Sequence, residues 1–267
     1  MPITLSAAQV VPITSLSAAP VLDGKGSEWN EVGGVEIALR KTHPEHKTDV
    51  SSVRIKGGVY GDRVYFYLTW KDSTENTEHK PFAWNEQQGR YIQTTALEDR
   101  LALQFEMSGD YSTDWLAGNS FTADMWHWKA FRSNMLGLAH DKQTIISDKK
   151  LLRSYEGHTP QGNPVYILRP SDSGDRLYRS QRYRERQEDK MPKYVISTDP
   201  QGSITDIKAN GVWREGAWHL EMSRQLNTTH ADDVLLQPGQ SVRGGVAIFD
   251  GTGDADHSVS DTLIFQF

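Results

Sequence analysis

The feature that most constrains this chain is the alternation of apolar and polar residues along several long segments. Every second residue is large and apolar between Val64 and Trp70 and again between Leu101 and Met107. Val242–Ile248 and Val259–Phe267 carry similar patterns, and Met125–Ala130 is rich in aromatic residues and typical of an extended segment. Successive side chains of a strand point to opposite faces, so this period predicts half-buried strands. We therefore expect an all-β fold, an antiparallel β-sandwich with a few short helices and long loops.

Turn-forming residues separate the expected strands. They are Asp23-Gly24, Gly61-Asp62, Ser108-Gly109-Asp110, Asn210-Gly211 and Asp250-Gly251. Helical periodicity is weak, and it favours short helices only near Asp141–Leu152 and Leu177–Glu188.

The segment Leu168–Lys193 is polar and rich in arginine, which predicts a long excursion from the sandwich. Such a loop is either a solvated surface or an element that docks a partner. We expect its central part, Arg176–Arg186, to face a partner or to be mobile.

The chain of 267 residues is long enough to bury a full core in one domain. We expect residues 1–20 to form an extended N-terminal segment and residues 21–267 to form one domain. Met1–Pro20 lacks a basic start and a continuous apolar core, so it is not an intact signal peptide; we expect a processed mature chain with an added Met. The net charge of −6 indicates no nucleic-acid partner, and no apolar run predicts a membrane span.

The sequence contains no cysteine. This excludes disulfides, thiolate metal sites, iron–sulfur clusters and cysteine nucleophiles within the chain. It also excludes covalent heme attachment, which requires a Cys-x-x-Cys-His motif.

The segment Asp124–Ala130 carries the first group of candidate ligands. On a strand, Met125, His127 and Lys129 share one face, and Trp126 and Trp128 share the other. The two Trp favour core packing, although they would also suit a flat ligand. His127 alone is more typical of a hydrogen-bonded structural residue than of a metal ligand.

Met107 is a second candidate, because it ends the apolar face of the Leu101–Phe105 strand and points inward by parity. A Met at such a position usually fills a gap in the core. A buried thioether is also one of the few heme ligands that remain in a chain without cysteine.

The loop Phe249–Ser260 carries the third group. It contains three Asp residues among glycines, which could hold Ca²⁺, although their spacing does not match an EF-hand. His257 shares the parity of Val259 and Leu263, so we expect it to face inward, where it could ligate iron. The pair of histidines in His43–His46 indicates a surface turn.

Five segments carry a resemblance to known families. Val21–Trp29 is similar to the start of carbohydrate-binding-module-9-like β-sandwich domains. Asp99–Phe105, Asp124–Arg132, Val212–Leu226 and Val246–Gly251, in this order, resemble the heme-binding domain of the ethylbenzene dehydrogenase γ-subunit family. That family includes the heme b subunits of dimethyl sulfide dehydrogenase and of selenate and chlorate reductases.

The resemblance implies a periplasmic γ subunit that holds one non-covalent heme b and has no catalytic residues of its own. Such a subunit passes electrons between a molybdenum-containing catalytic subunit with its iron–sulfur partner and a soluble cytochrome.

The family's iron is held by a Met and a Lys. His257 stands where the family has the Lys, and Met107 is the nearest inward Met, with Met125 and His127 as substitutes. Trp126, Trp128 and Lys129 are expected as further heme contacts.

Two other functions remain open at this stage. One is a carbohydrate-binding module without heme, because a sandwich with exposed Trp suits sugar stacking. The other is a heme protein that shuttles electrons without a molybdenum partner. The colour of the purified protein separates the first from the heme proteins.

Overall fold

The structure is a computed structural model that describes residues 8–267, and this part of the chain is built from strands. Its strands are β1 (Gln9–Ser15), β2 (Val35–Lys41), β3 (Ser52–Tyr60), β4 (Arg63–Lys71), β5 (Phe82–Asn85), β6 (Arg90–Gln93), β7 (Arg100–Gly109), β8 (Phe121–Lys129), β9 (His140–Ser147), β10 (Tyr155–His158), β11 (Pro164–Leu168), β12 (Tyr178–Ser180), β13 (Lys190–Met191), β14 (Tyr194–Ile196), β15 (Lys208–Arg214), β16 (Ala217–Gln225), β17 (Ser241–Phe249), β18 (Ser258–Ser260) and β19 (Leu263–Gln266). The helical pieces are short 3₁₀ turns at Ser27–Trp29, Asn134–Leu136 and Ser203–Thr205.

The strands form two layers. One layer has the order β10-β11-β9-β8-β7-β17, and the other has the order β2-β3-β4-β16-β15. Strand β18 links β17 to β2, and β1 pairs in parallel with both β19 and β3. The other pairings between neighbouring strands are antiparallel. The expected all-β sandwich is confirmed.

The core lies between the two layers and is filled by the inner faces of their strands. Phe66 of β4 meets Trp126 of β8 edge to face, with ring centroids 5.7 Å apart, and Phe105 of β7 lies 5.1 Å from the same indole. All three side chains are completely buried. Aromatic pairs in this arrangement contribute beyond their buried area, so these contacts fix how the two layers face each other.

Neither expected helix forms. The first segment, Asp141–Leu152, is mostly β9, which pairs on one side with β8 and on the other with β11. These ladder hydrogen bonds outweigh a weak local preference for helix. The second segment, Leu177–Glu188, contains only the short strand β12 and a following loop. Among residues 8–267 no helix is long and apolar enough to cross a membrane.

The arginine-rich excursion is anchored at its start. Leu177 is 1% exposed and packs with Leu138 and Ile204, while Tyr178 lies against the buried end of β8. Arg182 and Arg184, farther along, are exposed. Leu177 and Tyr178 are thus fixed to the fold, and the expectation that Arg176–Arg186 faces a partner or is mobile stays a prediction for its exposed residues.

The predicted turn at Asn210-Gly211 is wrong, because both residues lie inside β15. A Cβ atom at Gly211 would come 2.3 Å from the Trp128 ring, so the glycine serves close packing here. The chain instead turns at Glu215-Gly216, where φ is 50° and 77°.

The segment expected to be an extended N-terminal piece, residues 1–20, contains β1, which is integrated into both layers. Residues 1–7 of this segment lie outside the described residues.

Candidate functional site

A cavity of about 620 Å³ lies on the outer face of the β7-β8-β17 layer, away from the core. Its floor is built by residues that alternate with the core residues of the same strands. Ala102 and Gln104 come from β7, Met125 and His127 from β8, and Phe249 from β17. The volume lies in the range of pockets that hold small molecules and cofactors.

Residues of strands β2, β10 and β11 and of nearby loops form the walls. They are contributed by Arg40, Thr42, His43 and His46, by Tyr111 and Thr113–Leu116, by Tyr155, Ile167 and Arg169, and by Asp254, Ala255 and His257. Most of the surface that lines the cavity is apolar, and the cationic side chains stand at its wall.

Each of two histidines in this cavity has one buried ring nitrogen without a hydrogen-bond partner. Nε2 of His127 and Nδ1 of His257 are buried and have no partner among residues 8–267. Burial, followed by the charge of Lys129, holds the pKa of His127 well below its usual value. Burial likewise lowers the pKa of His257 to about 4. Both imidazoles are therefore neutral at pH 7, which is the form that binds metals.

Phe249 connects the two histidines. Its ring lies 5.9 Å from the His127 ring and 4.9 Å from the His257 ring. The guanidinium of Arg100 covers the same phenyl ring at 4.3 Å and donates a short hydrogen bond to Asp254.

Arg169 donates to the second oxygen of Asp254, at 3.1 Å. Burial alone would raise the pKa of Asp254, but Arg100 and Arg169 lower it overall. The loop that carries His257 is thus held to the strands by ion pairs.

Met125 is a third ligand type in the floor of the cavity. Its side chain is 2% exposed and packs with Ala102 and Phe249. Its sulfur lies 3.8 Å from the hydroxyl of Thr144, a weak contact at best.

Met107 does not line the cavity. Its side chain packs against the core between the layers, and its sulfur lies 3.8 Å from Nε2 of Gln143. Parity along β7 places Met107 on the face of Leu103 and Phe105, as expected, but that face is the core side of the layer. The structure does not bring Met107 together with His257.

The parity argument for His257 holds only in part. Val259 lines the same cavity as His257, but Leu263 belongs to the core between the layers. Asp261-Thr262 separates β18 from β19, so the strand is interrupted there. The alternation of faces does not continue across this interruption.

The remaining sequence candidates lie elsewhere. Trp126 and Trp128 are completely buried in the core. Lys129 lies at the end of β8, where its Nζ donates to Nδ1 of His140 at 2.6 Å and to the Tyr178 hydroxyl at 3.3 Å. Burial, followed by the charge of Arg132, holds the pKa of Lys129 well below its usual value.

The three Asp residues of the Phe249–Ser260 loop do not converge on one point. Asp254 pairs with two arginines, and Asp256 accepts from the backbone of Lys47 and Thr48. Asp250 lies instead beside Asp72 and Asp99. This arrangement offers no common site for Ca²⁺ in that loop.

Sequence reasoning missed the cationic and aromatic wall of the cavity. Trp115 comes from the loop between β7 and β8, Tyr155 begins β10 and Arg169 follows β11, and the guanidinium lies 5.9 Å and 5.8 Å from the two rings. None of them belongs to a motif, so only the tertiary fold reveals that they meet.

Comparison with known proteins gives a family and a set of distant structures. No functionally curated protein matches the chain. A putative carbohydrate-binding protein from Bacteroides uniformis matches at 9% identity over 96% of this chain and 91% of that one, with a TM-score of 0.46. A family 9 carbohydrate-binding module from Caldicellulosiruptor kristjanssonii, in complex with glucose, matches at 9% identity over 96% and 85%, with a TM-score of 0.41. The profile of the family described as "Ethylbenzene dehydrogenase" matches residues 27–260, so this chain belongs to the ethylbenzene dehydrogenase family.

Proposed function

We propose that this chain is the heme b-carrying, electron-transfer subunit of a periplasmic molybdenum-containing oxidoreductase. Membership of the ethylbenzene dehydrogenase family supports a subunit associated with a molybdoenzyme.

One observation carries the heme assignment. Two neutral histidines with unpartnered ring nitrogens and one buried methionine line a single apolar cavity. A buried imidazole nitrogen without a hydrogen bond costs free energy, so it needs a compensating ligand. Imidazole and thioether are the usual protein ligands of non-covalent heme b.

Of the candidate ligands, His257 and His127 would hold the heme iron through their imidazole nitrogens. Nε2 of His127 is a buried polar atom without a hydrogen bond, which apolar packing does not compensate. The thioether of Met125 is apolar, and its packing against Ala102 and Phe249 accounts for its burial. Met125 lies two residues earlier on the same face of β8, which makes it the substitute ligand. Phe249 contacts both imidazoles, so the two histidines border the same part of the cavity.

The remaining wall residues fit the other parts of a heme. Arg40 and Arg169 offer positive charge for the two propionates. The apolar floor around Ala102 and Phe249 excludes water and suits the porphyrin face. When bound, the heme supplies a one-electron ferric/ferrous couple, and the chain itself holds the ligands and sets the dielectric around them.

The expected partners are a molybdenum-containing catalytic subunit, its iron–sulfur subunit and a soluble cytochrome. The chain would then relay electrons between them without catalytic residues of its own. Family membership is the support for this assembly.

The decisive test is the absorption spectrum of the purified protein, expressed with heme available. We expect a Soret band, sharpened α and β bands after dithionite, and one heme b per chain by the pyridine hemochrome assay. Acid acetone should extract this heme completely, since the chain has no cysteine. A colourless protein that binds glucose or cellotriose would instead support the carbohydrate-binding alternative.

A further inference from the structure

A group of buried aspartates lies on the opposite face of β8 from the cavity. Asp124 of β8 and Asp141 of β9 point to the core side of the layer. Asp172 follows β11, and Asp233 follows β16. Oxygen atoms of Asp124, Asp141 and Asp233 lie within 4.8 Å of one another. The backbone N–H of Asp172 donates to the carbonyl of Asp141 at 3.2 Å, and the carboxyl groups of these two residues are close enough to share a hydrogen bond.

Arg224 is the guanidinium that contacts this group, and it neutralises only part of the charge; Nδ1 of His230 also lies 3.9 Å from Asp233. Its Nη1 donates a short hydrogen bond to Asp124 and a bond of 3.1 Å to Asp233. One carboxylate oxygen each of Asp124 and Asp233 is used in this way. One guanidinium against four carboxylates leaves a large excess of negative charge if all four are ionised.

The other carboxylate oxygens have no hydrogen-bond donors among residues 8–267. They are both oxygens of Asp141, both of Asp172 and one each of Asp124 and Asp233. Asp141 is completely buried, so water does not reach its carboxylate. An ionised carboxylate without partners in such a place is strongly unfavourable.

A second acidic group in the chain shows the contrast. Asp99, beside Asp72 and Asp250, accepts hydrogen bonds from Asn76, Gly251 and Trp218 at 2.8 to 3.0 Å. Both of its oxygens are therefore used by the protein itself. Asp141 has no donor of this kind among residues 8–267, so both of its oxygens are free for a ligand.

We propose that Asp124, Asp141, Asp172 and Asp233 form a binding site for one Ca²⁺ ion. Hard divalent cations take oxygen ligands, and Ca²⁺ accepts six to eight of them in flexible geometry. Mg²⁺ keeps several waters and needs near-ideal octahedral geometry, which a buried all-carboxylate site does not favour. The ion would tie β8, β9 and the segments that follow β11 and β16 to one point.

The alternative way to neutralise the group is protonation. Burial, followed by the charge of Asp124, holds the pKa of Asp141 well above its usual value, and burial raises the pKa of Asp172 to about 8. Asp141 and Asp172 would then share a proton. Added Ca²⁺ stabilises the protein if the carboxylates bind the ion, and it does not if a shared proton already neutralises them. A titration with Ca²⁺ therefore distinguishes the two alternatives.

The test uses the purified, heme-loaded protein, stripped with EDTA and titrated with CaCl₂ by calorimetry. We expect one Ca²⁺ per chain. At a free Ca²⁺ concentration 100-fold above Kd, the Tm should rise by about 5–10 °C. Absence of Ca²⁺ binding by the wild-type protein would overturn the proposal, and so would binding that Mg²⁺ matches at equal concentration.

Asp141→Asn is the main variant, because it keeps the side-chain shape and removes one charge. We expect it to abolish Ca²⁺ binding and the Ca²⁺-dependent rise in Tm. In EDTA it should be at least as stable as the wild type, because it relieves repulsion among the carboxylates. If Asp141→Asn retains Ca²⁺ binding, the assignment is wrong.

Two further variants keep the test informative. Asp172→Asn should also lose binding, and it replaces Asp141→Asn should that variant not fold. Asp206→Asn is the matched control, because Asp206 and His230 form a partly exposed group that shares Asp233. It should bind Ca²⁺ like the wild type. Loss of binding in Asp206→Asn alone would move the ion to that group and overturn the proposal.

Discussion

The rings of Phe249 and His257 are in direct contact, with centroids 4.9 Å apart and planes inclined by 37°. Phe249 ends β17, whereas His257 lies in the loop that follows. Because Arg100 covers this phenyl ring and also binds Asp254, the loop is fixed to β7 and β17 at once. His257 is therefore presented to the cavity from a supported position.

The first prediction concerns the two proposed axial ligands. His257→Ala and His127→Ala should each convert a six-coordinate low-spin heme spectrum into a high-spin one, or lose the heme. Each removes one imidazole from the cavity while leaving its apolar floor in place. Absorption and electron paramagnetic resonance spectra measure the change.

The matched control is His158→Ala, because His158 is exposed and lies outside the cavity. It should leave the spectrum unchanged. An unchanged low-spin spectrum in His257→Ala would refute its assignment. If His127→Ala leaves the heme spectrum unchanged and Met125→Ala gives a high-spin spectrum, the second ligand is Met125.

The second prediction separates the methionines. Met107→Ala should leave the heme spectrum intact and lower the free energy of unfolding by about 1–2 kcal/mol, since this side chain is only partly buried in the core. Met125→Ala should keep a low-spin spectrum but release heme faster, because it opens a gap in the cavity floor. The transfer of heme to apomyoglobin measures the release. A spectral change in Met107→Ala would contradict the placement of Met107 in the core.

These two residues show what the sequence could and could not predict. Period-2 alternation correctly identified β4, β7, β8 and β17 and the two faces of each. It could not tell which face meets the second layer and which meets a cavity, because both faces of β7 and β8 carry buried residues. Met107 was therefore assigned to the site although it lies on the core side.

The break between β18 and β19 shows a second limit. Parity along Val259–Phe267 assumed one continuous strand, but Asp261-Thr262 interrupts it. The same limit applies to Asn210-Gly211. The Trp128 ring packs directly against Gly211, and this tertiary contact outweighs the local preference for a turn. The cavity wall and the buried aspartates depend on contacts between residues far apart in sequence, and these leave no local pattern.

The third prediction concerns pH and the heme-free protein. Burial lowers the pKa of His257 to about 4, below the value of about 6.5 in an unfolded chain. Between these values the unfolded state binds more protons, so stability falls as the pH decreases from about 6.5 to about 4. The contribution of His257 is on the order of 3 kcal/mol.

The measurement is urea unfolding of the wild type and His257→Gln at several pH values. Gln does not titrate, so the difference between the two proteins isolates His257 from His127. We expect the wild type to lose stability relative to the variant as the pH falls through this window. A difference that does not depend on pH would show that His257 has its ordinary pKa.

The fourth prediction tests a buried ion pair outside the cavity. Glu98 is completely buried, accepts from the backbone of Phe131 and Arg132, and pairs with the Arg132 guanidinium and with His79. Burial alone would raise the pKa of Glu98, but His79 and Arg132 lower it to about 2. Glu98→Gln should lower the free energy of unfolding by about 3–5 kcal/mol, because it leaves Arg132 buried without its partner.

The control for this pair is Glu86→Gln, which removes an exposed partner of Arg186. It should change the free energy of unfolding by less than about 1 kcal/mol. The heme spectrum should be unaffected in both variants, because neither residue lines the cavity. Equal stabilities of the two variants would contradict the role assigned to Glu98.

The last prediction concerns the exposed part of the arginine-rich excursion. Arg182 and Arg184 project from a basic segment of a chain whose net charge is −6. Such a segment suits an acidic redox partner, because opposite charges accelerate encounter. The double variant Arg182→Glu/Arg184→Glu should keep the heme spectrum and slow electron exchange with an acidic cytochrome about tenfold or more at low salt.

Lys149→Glu/Lys150→Glu, which makes the same charge change at exposed positions elsewhere, should have a smaller effect. Stopped-flow rates at rising ionic strength should converge for all three proteins, since salt screens the attraction. Equal rates for the two double variants at low salt would show that the excursion is only a solvated surface.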